Sequence, residues 1–81
     1  VRIAKNRFYP PGKLRDLADI AEKVAADADD HKITAAAFRD ASNIGRNLAI
    51  EVLEFFNKVK FTRRVGDGHE IIRPAVDVFR S

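Results

Sequence analysis

Apolar side chains recur along this chain first at helical spacing and then in short alternating runs. From Lys13 onward Leu14, Leu17, Ala21 and Val24, flanked by Ile20 and Ala25, fall on one face of a helix. Pro10-Pro11-Gly12 breaks the looser pattern before it and suits a helix start, because a proline is tolerated in a first turn. The first helix is therefore expected at 12–28, fraying where Asp27, Asp29 and Asp30 set negative charge against the helix dipole. Thr34 is a good N-cap, and Ile33 with Phe38 fits a hydrophobic staple, so a short second helix is expected at 35–41. Ser42-Asn43-Ile44-Gly45 forms a turn, and a third helix follows at 46–59. Its apolar arc comprises Leu48, Ala49, Val52, Leu53, Phe55, Phe56 and Val59, with Ile50 as the one apolar residue on the polar arc.

The period then changes. Phe61 to Val65 has strand propensity, Gly66-Asp67-Gly68 reads as a turn, and Glu70 to Arg73 reads as the return strand, ended by Pro74. A short strand at 32–33 is placed to pair with this hairpin. The order helix, helix, helix, hairpin is the pattern of an α+β winged helix-turn-helix, three helices packed on a small antiparallel β-hairpin sheet. Residues 1–9 read as a linker or short extended lead-in, 10–74 as the winged-helix domain and 75–81 as a C-terminal tail.

An 81-residue chain has room for one small domain. With no cysteine, disulfides and thiolate metal sites are excluded. The apolar runs are too short for a membrane span and no signal-peptide pattern opens the chain, so a cytoplasmic protein is expected. Val1 in place of methionine points to a piece of something longer. The net charge is +3 and the pI about 9.6. The charge is unevenly spread: residues 1–20 hold five basic and two acidic side chains, residues 21–40 three and five. That asymmetry is compatible with one basic face.

Enzymatic chemistry finds no footing. His31 and His69 lack metal-ligand spacing, Asp29-Asp30-His31 reads as a solvated acidic turn, and Gly66 and Gly68 make no phosphate loop. No metal site is expected. Phe38, Phe55, Phe56 and Phe61 sit at core positions, so base stacking by exposed rings is left to Phe8, Tyr9 and Phe79, each better read as packing at the domain edge.

The basic groups remain. Arg46 and Asn47 occupy the first turn of the third helix, where free backbone N–H groups and the dipole favour an anion. Gly45 permits close backbone approach, and Asn43 lies just before it. Arg46 can pair with a phosphate or a guanine edge, and Asn47 can donate and accept on a base. Arg39 beside Asp40 fits a phosphate contact or a surface ion pair equally well. Arg63 and Arg64 approach the wing tip but alternate across the strand, so at most one faces a ligand. Glu51 and Glu54 oppose a long phosphate track, which points to a compact contact through the helix N-terminus.

The run FRDASNIGRNLAIEVLEFFNKVKFTRRVGDGH resembles the last winged-helix domain of the bacterial selenocysteine-specific elongation factor. The FRD, GR, LAI, LEFF and FTRR motifs and a glycine-containing wing agree in order and spacing over residues 33–73. Lys5-Asn6-Arg7-Phe8-Tyr9 is similar to the family's lead-in to its first helix. The resemblance implies an RNA-binding module that holds an mRNA hairpin, the selenocysteine insertion element, at its loop and a bulged base. The rest of such a translation factor would bind GTP with magnesium, selenocysteyl-tRNA and the ribosome; nothing in this stretch binds GTP. Carried over by position, Arg39, Gly45, Arg46, Arg63 and Arg64 are the implied contacts. Asn47 departs from the family, which has lysine or arginine there, and this shifts its role from phosphate toward base. A-form RNA hides its major groove and is read in loops and bulges, which suits a short basic tip. A monomer that binds RNA without a cofactor is expected. The alternatives are a DNA-binding winged helix of a transcription regulator and a winged helix that binds protein alone.

Overall fold

The computed structural model describes residues 2–4 and 7–79. The elements run β1 (Arg2–Ala4), β2 (Arg7–Phe8), α1 (Pro11–Asp27), β3 (Lys32–Ile33), α2 (Ala35–Ser42), α3 (Arg46–Lys58), β4 (Thr62–Val65), β5 (Gly68–Ile71) and α4 (Ala75–Val78). The fold is the expected α+β winged helix, with β1 and β2 paired antiparallel ahead of it and a fourth short helix behind. The lead-in is thus extended; Val1, Lys5 and Asn6, and the exposure of Phe8, lie outside what is described.

Each helix begins and ends for a local reason. Pro10 is extended at the N-cap of α1 and Pro11 takes the first helical position, where its missing N–H costs nothing. Thr34 caps α2, its Oγ1 accepting from the Ala37 N–H at 3.1 Å. Asn43 ends α2 in the left-handed conformation (φ 58°), its N–H bonded to the Arg39 carbonyl. α3 stops one residue short of the expected end. Lys60 turns left-handed (φ 66°), and the N–H groups of Lys60 and Phe61 reach back to the carbonyls of Asn57 and Phe56. This is a Schellman closure, and its usual hydrophobic contact is the Phe56–Phe61 ring pair at 5.1 Å.

The core holds Leu14, Leu17, Ala18, Ala21 and Ala25 of α1, Ile33, Phe38, and Ala49, Val52, Leu53, Phe55 and Phe56 of α3, closed by Phe61 and Ala75. Phe56 is its hub, in edge-on contact with Phe38, Phe61 and Phe79.

The sheet order is β3-β5-β4, antiparallel throughout, so the expected 32–33 strand pairs with the return strand. That return strand lies two residues earlier than expected. The turn is Gly66-Asp67 alone, with Gly66 at φ 60°, the pattern of a type II′ hairpin. Gly68 is the first residue of β5 and not part of the turn. A Cβ on it would stand 3.2 Å from the Ile33 carbonyl oxygen, so its lack of a side chain lets β3 close onto β5.

The segment expected as a tail is partly structural. The side chain of Glu22, on α1, accepts from the Ala75 N–H at 3.1 Å and so caps α4. Phe79 then packs against both Phe56 and Phe61.

A candidate nucleic-acid interface at helix α3 and the wing

α2, the turn at Asn43-Ile44-Gly45 and α3 form the helix-turn-helix. Ile44 packs against the core and holds the turn down, which leaves Gly45, Arg46 and Asn47 exposed at the start of α3. Gly45 is the N-cap in an ordinary extended conformation (φ −65°), and no side chain caps the helix. The first-turn N–H groups of α3 are therefore open to an anion, beside the Arg46 guanidinium. Nothing lies within 4 Å of where a Gly45 Cβ would be. Glycine is not required there by backbone strain; it keeps the helix start bare.

The other expected contacts separate. Arg39 is on α2 and bonds the Asp40 carboxylate through Nε and Nη2 at 3.3 and 3.2 Å, the surface ion pair of the two readings. Asn43 supplies the left-handed turn that ends α2, a structural reason for an asparagine there. On the wing, Arg63 faces outward with Glu70, its cross-strand partner, at 3.4 Å. Arg64 is on the other face, opposite His69 in register, and has no ion-pair partner among the described residues. Alternation sends the two arginines to opposite faces, and the pairing of Arg63 with Glu70 leaves Arg64 as the free wing arginine.

Arg64 lines a cleft of about 220 Å³ with Ala35, Ile50, Glu54, Asn57 and His69. Half-buried Ile50 and Asn57 and exposed Glu54 lie on the stripe of α3 that begins at Arg46 and Asn47. At 1.5 Å per residue, Arg46 and Asn57 are roughly 16 Å apart along the helix. The guanidiniums of Arg46 and Arg64 therefore stand at opposite ends of a track whose middle carries Ile50 and Glu54.

Two residues that line the cleft, Asn57 and His69, join Thr62 in a side-chain network that the sequence did not disclose. Asn57 Oδ1 accepts from Thr62 Oγ1 at 2.6 Å and is 3.1 Å from His69 Nδ1. Thr62 is buried, and with His69 it ties both wing strands to α3. The His69 pKa is lowered from its usual value, chiefly by burial and then by Arg64, with Glu54 acting weakly the other way. The lowered pKa favours the uncharged ring at neutral pH.

The acidic loop after α1 is solvated, as expected: Asp30 Oδ1 takes the Lys32 N–H at 3.1 Å. Among the described residues no three His, Asp or Glu side chains gather as a metal site, and no helix is long and apolar enough to cross a membrane.

The chain is similar to known proteins over most of its length. It is 36% identical over 74 residues to the selenocysteine-specific elongation factor of Escherichia coli, covering 91% of this chain and 12% of that protein. Against the same factor of Haemophilus influenzae it is 31% identical over 67 residues, covering 83% and 10%. It thus spans about a tenth of the length of these relatives. Among solved structures it resembles the mRNA-binding domain of elongation factor SelB from E. coli in complex with SECIS RNA, with a TM-score of 0.82 and 34% identity. The likeness covers 88% of this chain and 57% of that one. The family model described as elongation factor SelB, winged helix, matches residues 25–71, more than half of the sequence. With that match, on a fold whose helix-turn-helix and wing carry the motifs in order, the chain belongs to the SelB winged-helix family.

Proposed function

We propose that this chain is an RNA-binding module that recognises the loop or bulge of an mRNA hairpin, the selenocysteine insertion element, and tethers a translation factor to it. The observation that carries the reading is the uncapped, exposed start of α3, with Arg46 beside free backbone N–H groups. Its likeness to a domain solved with SECIS RNA supports the choice of ligand. The first-turn amides grip the backbone of the loop, Arg46 and Asn47 read base edges in it, and Arg64 holds a second phosphate from the wing. Arg39, Asn43, Gly45 and Arg63 border this contact. The acidic middle of the track keeps a duplex from lying along α3. In the longer protein, GTP and magnesium, selenocysteyl-tRNA and the ribosome would be the business of other parts, in the cytoplasm.

The experiment is a direct competition. A SECIS hairpin RNA and a duplex DNA of equal length are titrated against the chain by fluorescence anisotropy at 0.15 M salt. Tighter binding to the hairpin by ten-fold or more is expected. Equal or tighter binding to DNA would overturn the reading in favour of a transcription regulator. Binding to neither, with no chemical-shift change at Arg46 and Asn47, would favour a protein-binding role.

A further inference from the structure

Contacts from arginine and backbone N–H groups to phosphate treat RNA and DNA alike, because both backbones carry the same anion. Telling them apart needs a group that reads the ribose 2′-hydroxyl. The cleft beside the wing holds a histidine whose tautomer is fixed by its neighbour.

The contact between Thr62 Oγ1 and the Asn57 side chain is 2.6 Å, usual for O–H···O and short for N–H···O. The Asn57 atom facing Thr62 is therefore its oxygen. The same oxygen faces His69 Nδ1 at 3.1 Å, and an amide oxygen only accepts, so Nδ1 carries the hydrogen. In a neutral imidazole with a hydrogen on Nδ1, Nε2 has a bare lone pair. The ring is half-buried and lines the cleft, so its second nitrogen is an acceptor held in one tautomer by Asn57.

The neighbours complete the argument. Arg64 is directly across the strand on the same face, a free cation able to hold a phosphate. The carboxylates of Glu54 and Asp67, also in the cleft, are acceptors too, but their charge repels a phosphate held by Arg64. Glu70 faces away and is engaged by Arg63. His69 is the acceptor that carries no negative charge.

Resting on the RNA-binding reading above, we propose that His69 is a specificity-determining residue whose Nε2 accepts a hydrogen bond from a ribose 2′-hydroxyl next to the phosphate held by Arg64. The wing then distinguishes RNA from DNA by sugar, while α3 reads the loop.

The test is a deoxy scan. A SECIS hairpin RNA is made with one 2′-deoxynucleotide at a time, and its affinity is measured for the wild-type chain, His69→Ala and His69→Phe. In the wild type one position is expected to cost about 5- to 10-fold. In both variants that penalty should shrink below about two-fold, while binding of the unsubstituted RNA persists. If the unsubstituted RNA binds but no position is penalised, or the penalty survives in the variants, the assignment to His69 is overturned. If the unsubstituted RNA fails to bind the wild type, the RNA reading falls first, and the assignment with it. A second measurement needs no variant. Long-range ¹⁵N–¹H spectra of the free chain at pH 7.5 should show His69 protonated at Nδ1 and bare at Nε2; a ring protonated at Nε2 would overturn the proposal.

Discussion

At the scale of single residues the proposed interface divides its labour. Arg46 stands at the open start of α3, where a guanidinium and free amides converge on one point. Arg46→Ala is expected to weaken specific hairpin binding by about 1–3 kcal/mol while leaving weaker, non-specific RNA binding nearly unchanged; anisotropy titrations against matched and loop-scrambled hairpins check it. His69 gives a second residue-level expectation, in stability. Its folded pKa lies below the usual 6.5, so below that value the unfolded chain binds more protons than the folded one. The stabilisation is whole above 6.5 and is lost as the pH falls toward the folded pKa. Urea midpoints at pH 7.5 and 5.5 should drop further for the wild type than for His69→Gln; equal drops would assign the acid sensitivity elsewhere. The exposed helix start at Arg46 and Asn47 was legible in the sequence because a helix start is a local feature. The choice of Arg64 over Arg63 was not, since alternation says only that the two diverge. Which one is free depends on the cross-strand partner Glu70. The Asn57–His69 tie was equally hidden, joining residues twelve apart through a fold that sequence alone does not close.

At the scale of elements, strong periodicity and caps fixed α1, α2 and α3 to within one residue at each end. The short pieces escaped for physical reasons. α4 has four residues, too few for a periodic signal, and its first N–H is satisfied by Glu22, 53 positions away. The return strand was displaced because Gly66 and Gly68 both look like turn glycines. Only the contact with β3 reveals that Gly68 is needed for close approach instead. α4 also sets the domain's working boundary. A chain ending at Pro74 loses the burial of Ala75 and the packing of Phe79 on Phe56 and Phe61. Burial of this size is worth about 2 kcal/mol. Residues 1–74 should therefore unfold at a distinctly lower urea midpoint than residues 1–81, by circular dichroism; equal midpoints would make the last segment dispensable.

At the scale of the whole molecule, the +3 charge matters less than where the free cations stand. Arg15, Arg39 and Arg63 are each paired with a neighbouring carboxylate, whereas among the described residues Arg46 and Arg64 have no such partner. Contact through Arg46 and Arg64 neutralises few phosphates, and the logarithm of the affinity should fall with the logarithm of salt at a slope of roughly −2 to −3. Arg64→Ala should reduce that slope by about one and weaken all hairpins alike. A slope of about −6 or steeper would mean an extended groove contact that this surface does not provide.

The placement of β5 between β3 and β4 has one more consequence. At His69 and Glu70 the return strand is paired on both sides, so the wing is anchored at its base, and Gly66 and Asp67 project beyond the pairing. Reach is thereby separated from stability. Adding a residue to each arm at the tip would lengthen the wing by about 3.4 Å and leave the three-stranded base as it is. In such an architecture the distance from the helix start to a second point on a folded RNA can be adjusted at one two-residue tip, with no change to the core that holds it.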